Sequence, residues 1–187
     1  EISKAFDGFI TKWTDQLWQS PLKNAIHWYV ESNRGAGGVE GSIILTQTAL
    51  ELLGWLYLVE DPTTGNHSNT AFNGMKAHER IRDLLSTLGI PVDIPEELTG
   101  LHNEAARLRA IDGPHAVVKL RNAIVHPKRT SRTRVQQTPV QARVEASSLG
   151  LWYVEMALLR LFGYEGAYYN QFIHDGAHEK RAKVPWT

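Results

Sequence analysis

The stretch GSIILTQTALELLGWLYLVE, Gly41 to Glu60, limits the fold more than any other. Read as a helix from about Val39 to Val59, it is apolar almost all the way round. A helix without a polar face has to be covered on every side, so it belongs at the centre of a bundle or inside a bilayer. Thr46, Gln47, Thr48 and Glu51 interrupt it, and a span needs about 20 consecutive apolar residues. The bundle is the reading, and no membrane partner is expected.

The remaining segments also carry helical spacing. Ile2, Phe6, Phe9, Ile10, Trp13 and Leu17 recur mainly three and four residues apart, which is one apolar helical face. Ser20-Pro21 reads as an N-cap followed by Pro at the first helical position. That helix should run from Leu22 to Glu31 with Ile26, Tyr29 and Val30 inward, and SNRGAGG (Ser32 to Gly38) should end it. DPTTGNHSNT (Asp61 to Thr70) reads as an exposed loop, and Gly74 to Leu88 as an amphipathic helix stopped by Gly89 and Pro91. Ile94-Pro95-Glu96-Glu97 predicts a further helix start, running through Leu98, Leu101 and Ala105 to Leu108. Asp112-Gly113-Pro114 begins another, PKRTSRTRVQQTP (Pro127 to Pro139) reads as a basic connector, and Val140 to Phe162 as the final helix. No strand and no internal repeat is evident, so the fold class is all-α, a helical bundle.

With 187 residues the chain fits one domain, divided here into N-terminal helices at residues 1–38 and a helical domain at residues 39–187. Lys and Arg total 20 and so do Asp and Glu. A net charge of zero argues against a general nucleic-acid coat, though not against a local basic patch. The absence of cysteine rules out disulfides and thiolate metal sites, and agrees with the cytoplasm. Glu1 in place of Met leads to the expectation of a piece of a longer protein, cut near a domain boundary.

Chemistry concentrates in LRNAIVHPKR, Leu120 to Arg129. Val117, Leu120 and Ile124 give the helix its packing stripe, while Asn122 and His126, four apart, share another face. Arg121 and His126 are five apart, so they differ by about 140° in azimuth and ~7.5 Å in rise and should not touch directly. Both can still converge on one polar group between them. His126 precedes Pro127, which turns its backbone out of the helix. Arg presents a fork of donors matched to phosphate oxygens, and His exchanges protons near neutral pH. An Arg and a His around one phosphodiester suffice for cleaving RNA without a metal, because the 2′-hydroxyl supplies the nucleophile. The plain alternative is that Arg and His late in a helix complement its dipole and last carbonyls.

RNAIVHP resembles the R-N-x-x-x-H motif of the HEPN superfamily, α-helical domains that include many metal-independent endoribonucleases. WYVEMALLRLFGYEGAYYNQF, Trp152 to Phe172, is similar to the last helix and tail of the ApeA-like HEPN domains of bacterial anti-phage systems, in which a glutamate-bearing helix leads into G-Y-x-G-x-Y-x-N. The resemblance is clearest from Leu120 onward and extends back to Val39; the first 38 residues carry none of it. It implies a HEPN-type bundle in which Arg121 and His126 are the catalytic pair and Asn122 supports them. It also implies RNA as substrate, with tRNA one candidate, no metal or other cofactor, a homodimer that joins two motifs in one cleft, and a separate N-terminal sensor or regulatory domain. The family tail often has Arg after the Asn; here Gln171 stands there.

Glu51 is the one acid well inside the apolar helix, with Gln47 a turn before it. A buried carboxylate needs a partner, and HEPN domains often place an acid near the motif, so a cation is expected beside Glu51, either Arg121 or a structural Arg. Glu155 is expected to pair with Arg160. Lys128, Arg129, Arg132 and Arg134 follow the motif; they are either a solvated connector or contacts to RNA phosphates. Tyr168 and Tyr169 either stack on bases or pack the tail down, and packing is the expectation. His174 and His178 lack a third ligand, so no zinc site is read there, and no P-loop, G-x-S-x-G or H-E-x-x-H is present. The rival to a ribonuclease is a helical module that only dimerises a larger protein, with Arg121 and His126 in a structural network.

Overall fold

A computed structural model of the chain describes residues 2–35, 37–126, 128–173 and 180–187, without the side chains of residues 2 and 4. The apolar stretch is α3, Gly38–Trp55, extended by one π-helical turn at Leu56–Glu60. This stretch is long and apolar enough to cross a membrane by length and composition, and more than half of it is buried within the chain. Around α3 lie α2 (Gln19–Asn33), α5 (Ala77–Thr87), α7 (Gly113–Val125) and the longest helix, α9 (Val140–Leu161). The remaining helices, α1 (Ile2–Thr14), α4 (Asn69–Gly74), α6 (Thr99–Leu108) and α8 (Arg129–Gln137), complete an all-α bundle, as its periodicity requires.

Packing explains the arrangement. Trp18, Leu22 and Ala25 beside α3 share one core with Ile43, Leu50 and Leu53 of α3 and with Leu149, Tyr153 and Met156 of α9. α9 packs tightly on α3 at Gly150, where an added Cβ would stand 2.5 Å from Thr46 Oγ1. Ser147 donates to Ser42 Oγ at 2.8 Å across the same contact, and Arg143 pairs with Glu40 at its outer end.

Several local expectations change in the fold. α2 starts at Gln19, so Pro21 is its third residue, and no side chain caps it. Val30 is exposed, because it lies about 80° round the helix from Leu22. Pro95 to Leu98 forms a turn, and α6 begins only at Thr99, where the Glu145 carboxylate of α9 accepts the Leu101 N–H at 2.6 Å. Asp61, read as exposed loop, is buried and accepts from Trp18 Nε1 at 2.8 Å. Desolvation acts to raise the Asp61 carboxyl, but hydrogen bonds from Thr63 and Trp18 outweigh it and hold it below its ordinary value. The basic connector is itself a helix, α8, with no buried residue. Strands were not expected, yet Ala167–Tyr169 (β1) and Arg181–Lys183 (β2) pair antiparallel, Tyr168 opposite Ala182. Three-residue strands are too short to show a period in sequence.

At the junction of α5 and α7 the rings of His78 and His115 stack, with centroids 4.0 Å apart and planes 12° apart. Desolvation pushes both imidazoles down. The Arg82 charge adds to this at His78, and His78 itself adds to it at His115; Lys76 and Lys119 act the same way, against Glu79 and Asp112. With lowered folded values, the unfolded chain binds more protons below about pH 6.5. The pair's stability is therefore complete above that pH and lost as pH falls through the folded values. A thermal melt should lose stability from pH 7 to pH 5, and His115→Phe, which keeps a stacked ring without a proton, should flatten that loss. An equally steep loss in the variant would assign it elsewhere.

Candidate functional site

Asp112 begins the site-bearing helix, as its sequence predicts: its carboxylate accepts the His115 N–H at 2.9 Å, and Pro114 sits in the first turn. Val117, Val118, Leu120 and Ala123 bury one side of α7. Arg121 and Asn122 are half-buried at its edge. The helix ends at Val125, and His126 takes an extended backbone (φ −84°, ψ 128°) with its side chain exposed. Asn122 meets both other members of the motif. Its carbonyl accepts the His126 N–H at 3.2 Å, and its Oδ1 lies 3.4 Å from Arg121 Nη1, a long hydrogen bond. Arg121 Nε is buried and has no hydrogen-bond partner among the described residues. No direct Arg121–His126 bond occurs among the described residues, as the five-residue spacing requires.

The supporting residues fall differently. Glu51 takes Gln47 as its partner, at 2.5 Å from Nε2 to Oε1, and among the described residues it has no ion pair, with Arg121 or any other cation. A side chain one turn away on the same helix meets the carboxylate before a distant cation does. Glu155 does not pair with Arg160, whose guanidinium lies 5.6 Å over the Trp186 ring. Its carboxyl is half-buried near Tyr29 and Tyr168, and desolvation pushes it up. A raised folded value means stability present at low pH and lost as pH rises from about 4.5 through that value. Glu155→Gln should therefore stabilise the fold in melts at pH 8 and change little at pH 4; a deficit at pH 8 would mean that the carboxylate has a favourable role.

Tyr168 is buried and accepts from Trp152 Nε1 at 3.1 Å, so it packs the tail, whereas Tyr169 is exposed under the Lys180 ammonium. Gln171, in the place where the resembling tails carry Arg, donates to Ser148 O at 3.1 Å and ties the tail to α9. His174 and His178 lie outside the described residues. Lys128, Arg129, Arg132 and Arg134 are exposed, the last three along α8. Arg134 joins Arg107, Leu108, Arg109 and Lys119 around a cavity of about 220 Å³. Three of those cations escaped the sequence reading because they come from α6 and α7, which only the fold brings to α8.

Residues 15–180, from just before α2 to just before β2, match the YopA C-terminal domain. The chain belongs to the YopA C-terminal domain family. A YopA relative, the SPbeta prophage-derived uncharacterized protein YopA of Bacillus subtilis (strain 168), is 33% identical over 188 residues, 99% of this chain. The chain spans 40% of that YopA's length. No solved structure matches.

Proposed function

We propose that this YopA C-terminal domain is a HEPN-type, metal-independent endoribonuclease of a phage–host conflict system. The observation that carries the reading is Asn122, which contacts Arg121 through its side chain and His126 through its carbonyl at the point where α7 opens to solvent. The resemblance of RNAIVHP to the R-N-x-x-x-H motif, the basic α8 beside it and the prophage origin of the relative all support it. His126 takes the proton of a 2′-hydroxyl, whose oxygen then attacks the adjacent phosphorus. The 5′-oxygen leaves and takes a proton from the same histidine of a second copy in a homodimer. Arg121 offsets the charge that builds on the phosphoryl oxygens. The products are a 2′,3′-cyclic phosphate and a 5′-hydroxyl, in cytoplasmic RNA such as tRNA, under control of the rest of a longer protein.

The test is incubation of the purified chain and of His126→Ala with mixed tRNA and single-stranded RNA in EDTA. Cleavage by the parent alone, leaving cyclic-phosphate ends, is expected. Equal cleavage by the variant would end the proposal.

A second reading, a helical module that dimerises a larger protein, has its own observation: Val140 and Val144, one turn apart on α9, are 65% and 44% exposed. On that reading Arg121→Ala weakens folding or association, whereas a catalytic Arg121 leaves both near the parental level.

A further inference from the structure

We infer that the cavity at the junction of α6, α7 and α8 is a phosphate subsite that holds the backbone of the RNA substrate beside the point of cleavage. This rests on the ribonuclease reading. Four cations, Arg107, Arg109, Lys119 and Arg134, line a space of about 220 Å³ together with Leu108, and among the described residues no acid lines it. Like charges converge at a cost unless something holds them. Here Arg107 is gripped by the buried Glu104 through two bonds, at 2.7 and 2.5 Å. Lys119 donates to the carbonyls of Leu108 and Arg109 that α6 leaves open at its end. Thr138, just after α8, bonds Glu104 at 2.9 Å and brings Arg134 in from the third side. Arg109 and Arg134 have no carboxylate partner among the described residues.

The backbone of Arg109 gives an independent indication. With φ of +53°, it is the one non-glycine residue in the left-handed region among the described residues. It closes α6, a place where helices commonly turn left-handed on Gly. Glycine would remove the strain, so the arginine side chain needs a reason, and strain of this kind clusters at binding sites.

Position and size name the ligand. Lys119 stands on α7 seven residues before His126, the residue that caps it, or about 10.5 Å along the axis. A stacked strand rises ~3.4 Å per nucleotide, so about three nucleotides bridge the two points. Small-molecule pockets run to about 300–1,000 Å³; this one is smaller and suits a single phosphate group with its sugar rather than a whole cofactor.

The experiment measures anisotropy of a fluorescein-labelled single-stranded RNA against His126→Ala protein, which keeps the ligand intact, over a range of salt. Arg109→Gly and Arg134→Gln are then added to that background singly and together. The pair should bind about tenfold more weakly, with a salt slope shallower by roughly 0.7 for each lost phosphate contact. Arg109→Gly alone should melt at or above the parental temperature, which separates lost charge from lost fold. Lys23→Gln on α2 should leave binding unchanged. RNA affinity that ignores the pair, falls equally with Lys23→Gln, or is absent in the parent overturns the inference. So does a site that takes inorganic phosphate alone and no RNA. If RNA binds as expected while the parent does not cleave it, the ribonuclease reading fails and the subsite stands.

Discussion

Asp112→Ala should lower the melting temperature by roughly 10 °C, an effect of about 3–5 kcal/mol. Two losses combine at one carboxylate. Oδ1 accepts the His115 N–H and caps α7, a contribution of about 1 kcal/mol. Oδ2 pairs with the Arg82 guanidinium, and the two side chains are 7% and 27% exposed. Removing the acid leaves a largely buried cation whose Nη2 already lacks a partner among the described residues, and breaking such a pair costs more than the cap does. Asp112→Asn keeps the capping oxygen and drops the charge, so it should recover about 1 kcal/mol of the loss. Thermal melts of the three proteins give the comparison. An Asp112→Ala protein within about 2 °C of the parent would show that Arg82 finds solvent or another acceptor. On the ribonuclease reading the position bears on function, because Asp112 opens the helix that His126 caps.

How far the sequence reveals this molecule depends on whether a residue's partner is local. α3 and α9 could be read because each carries its own apolar pattern, and α7 because Asp112-Gly113-Pro114 is a self-contained start signal. The motif is equally legible: helix spacing places Arg121 beside Asn122, and a Pro after His126 in the sequence signals that His126 leaves the helix. α8 was missed because a polar, basic run has no apolar stripe, and its anchor, Thr138 to Glu104, joins residues 34 apart. The burial of Asp61 depends on Trp18, 43 residues away. Charged residues inside apolar helices misled most. Their sequence context calls for cations beside Glu51 and Glu155, but one settles on an amide a turn away and the other is left desolvated beside two tyrosines. A sequence shows that such a carboxylate needs company, not which neighbour supplies it.

On the proposed ribonuclease reading, the largest effect expected is kinetic. In single-turnover cleavage of RNA, His126→Ala should lose about 10²–10⁴ in rate, the range that positioned acid–base groups contribute. Arg121→Ala should lose about 10²–10³, as removal of one donor to a developing anion does. Arg121→Lys should stay close to Arg121→Ala, because a point charge cannot reproduce a fork oriented by Asn122. The double variant should fall little below the worse single one, since two groups serving one transition state do not act independently. Melting curves make the measurement decisive. His126 is exposed and its backbone bond to Asn122 survives the substitution, so His126→Ala should melt with the parent. Arg121 is half-buried, so the rate of its variant is compared per folded molecule. Rates that fall only in proportion to the unfolded fraction would make Arg121 and His126 parts of the scaffold, and the dimerisation module would then be the better description of this domain.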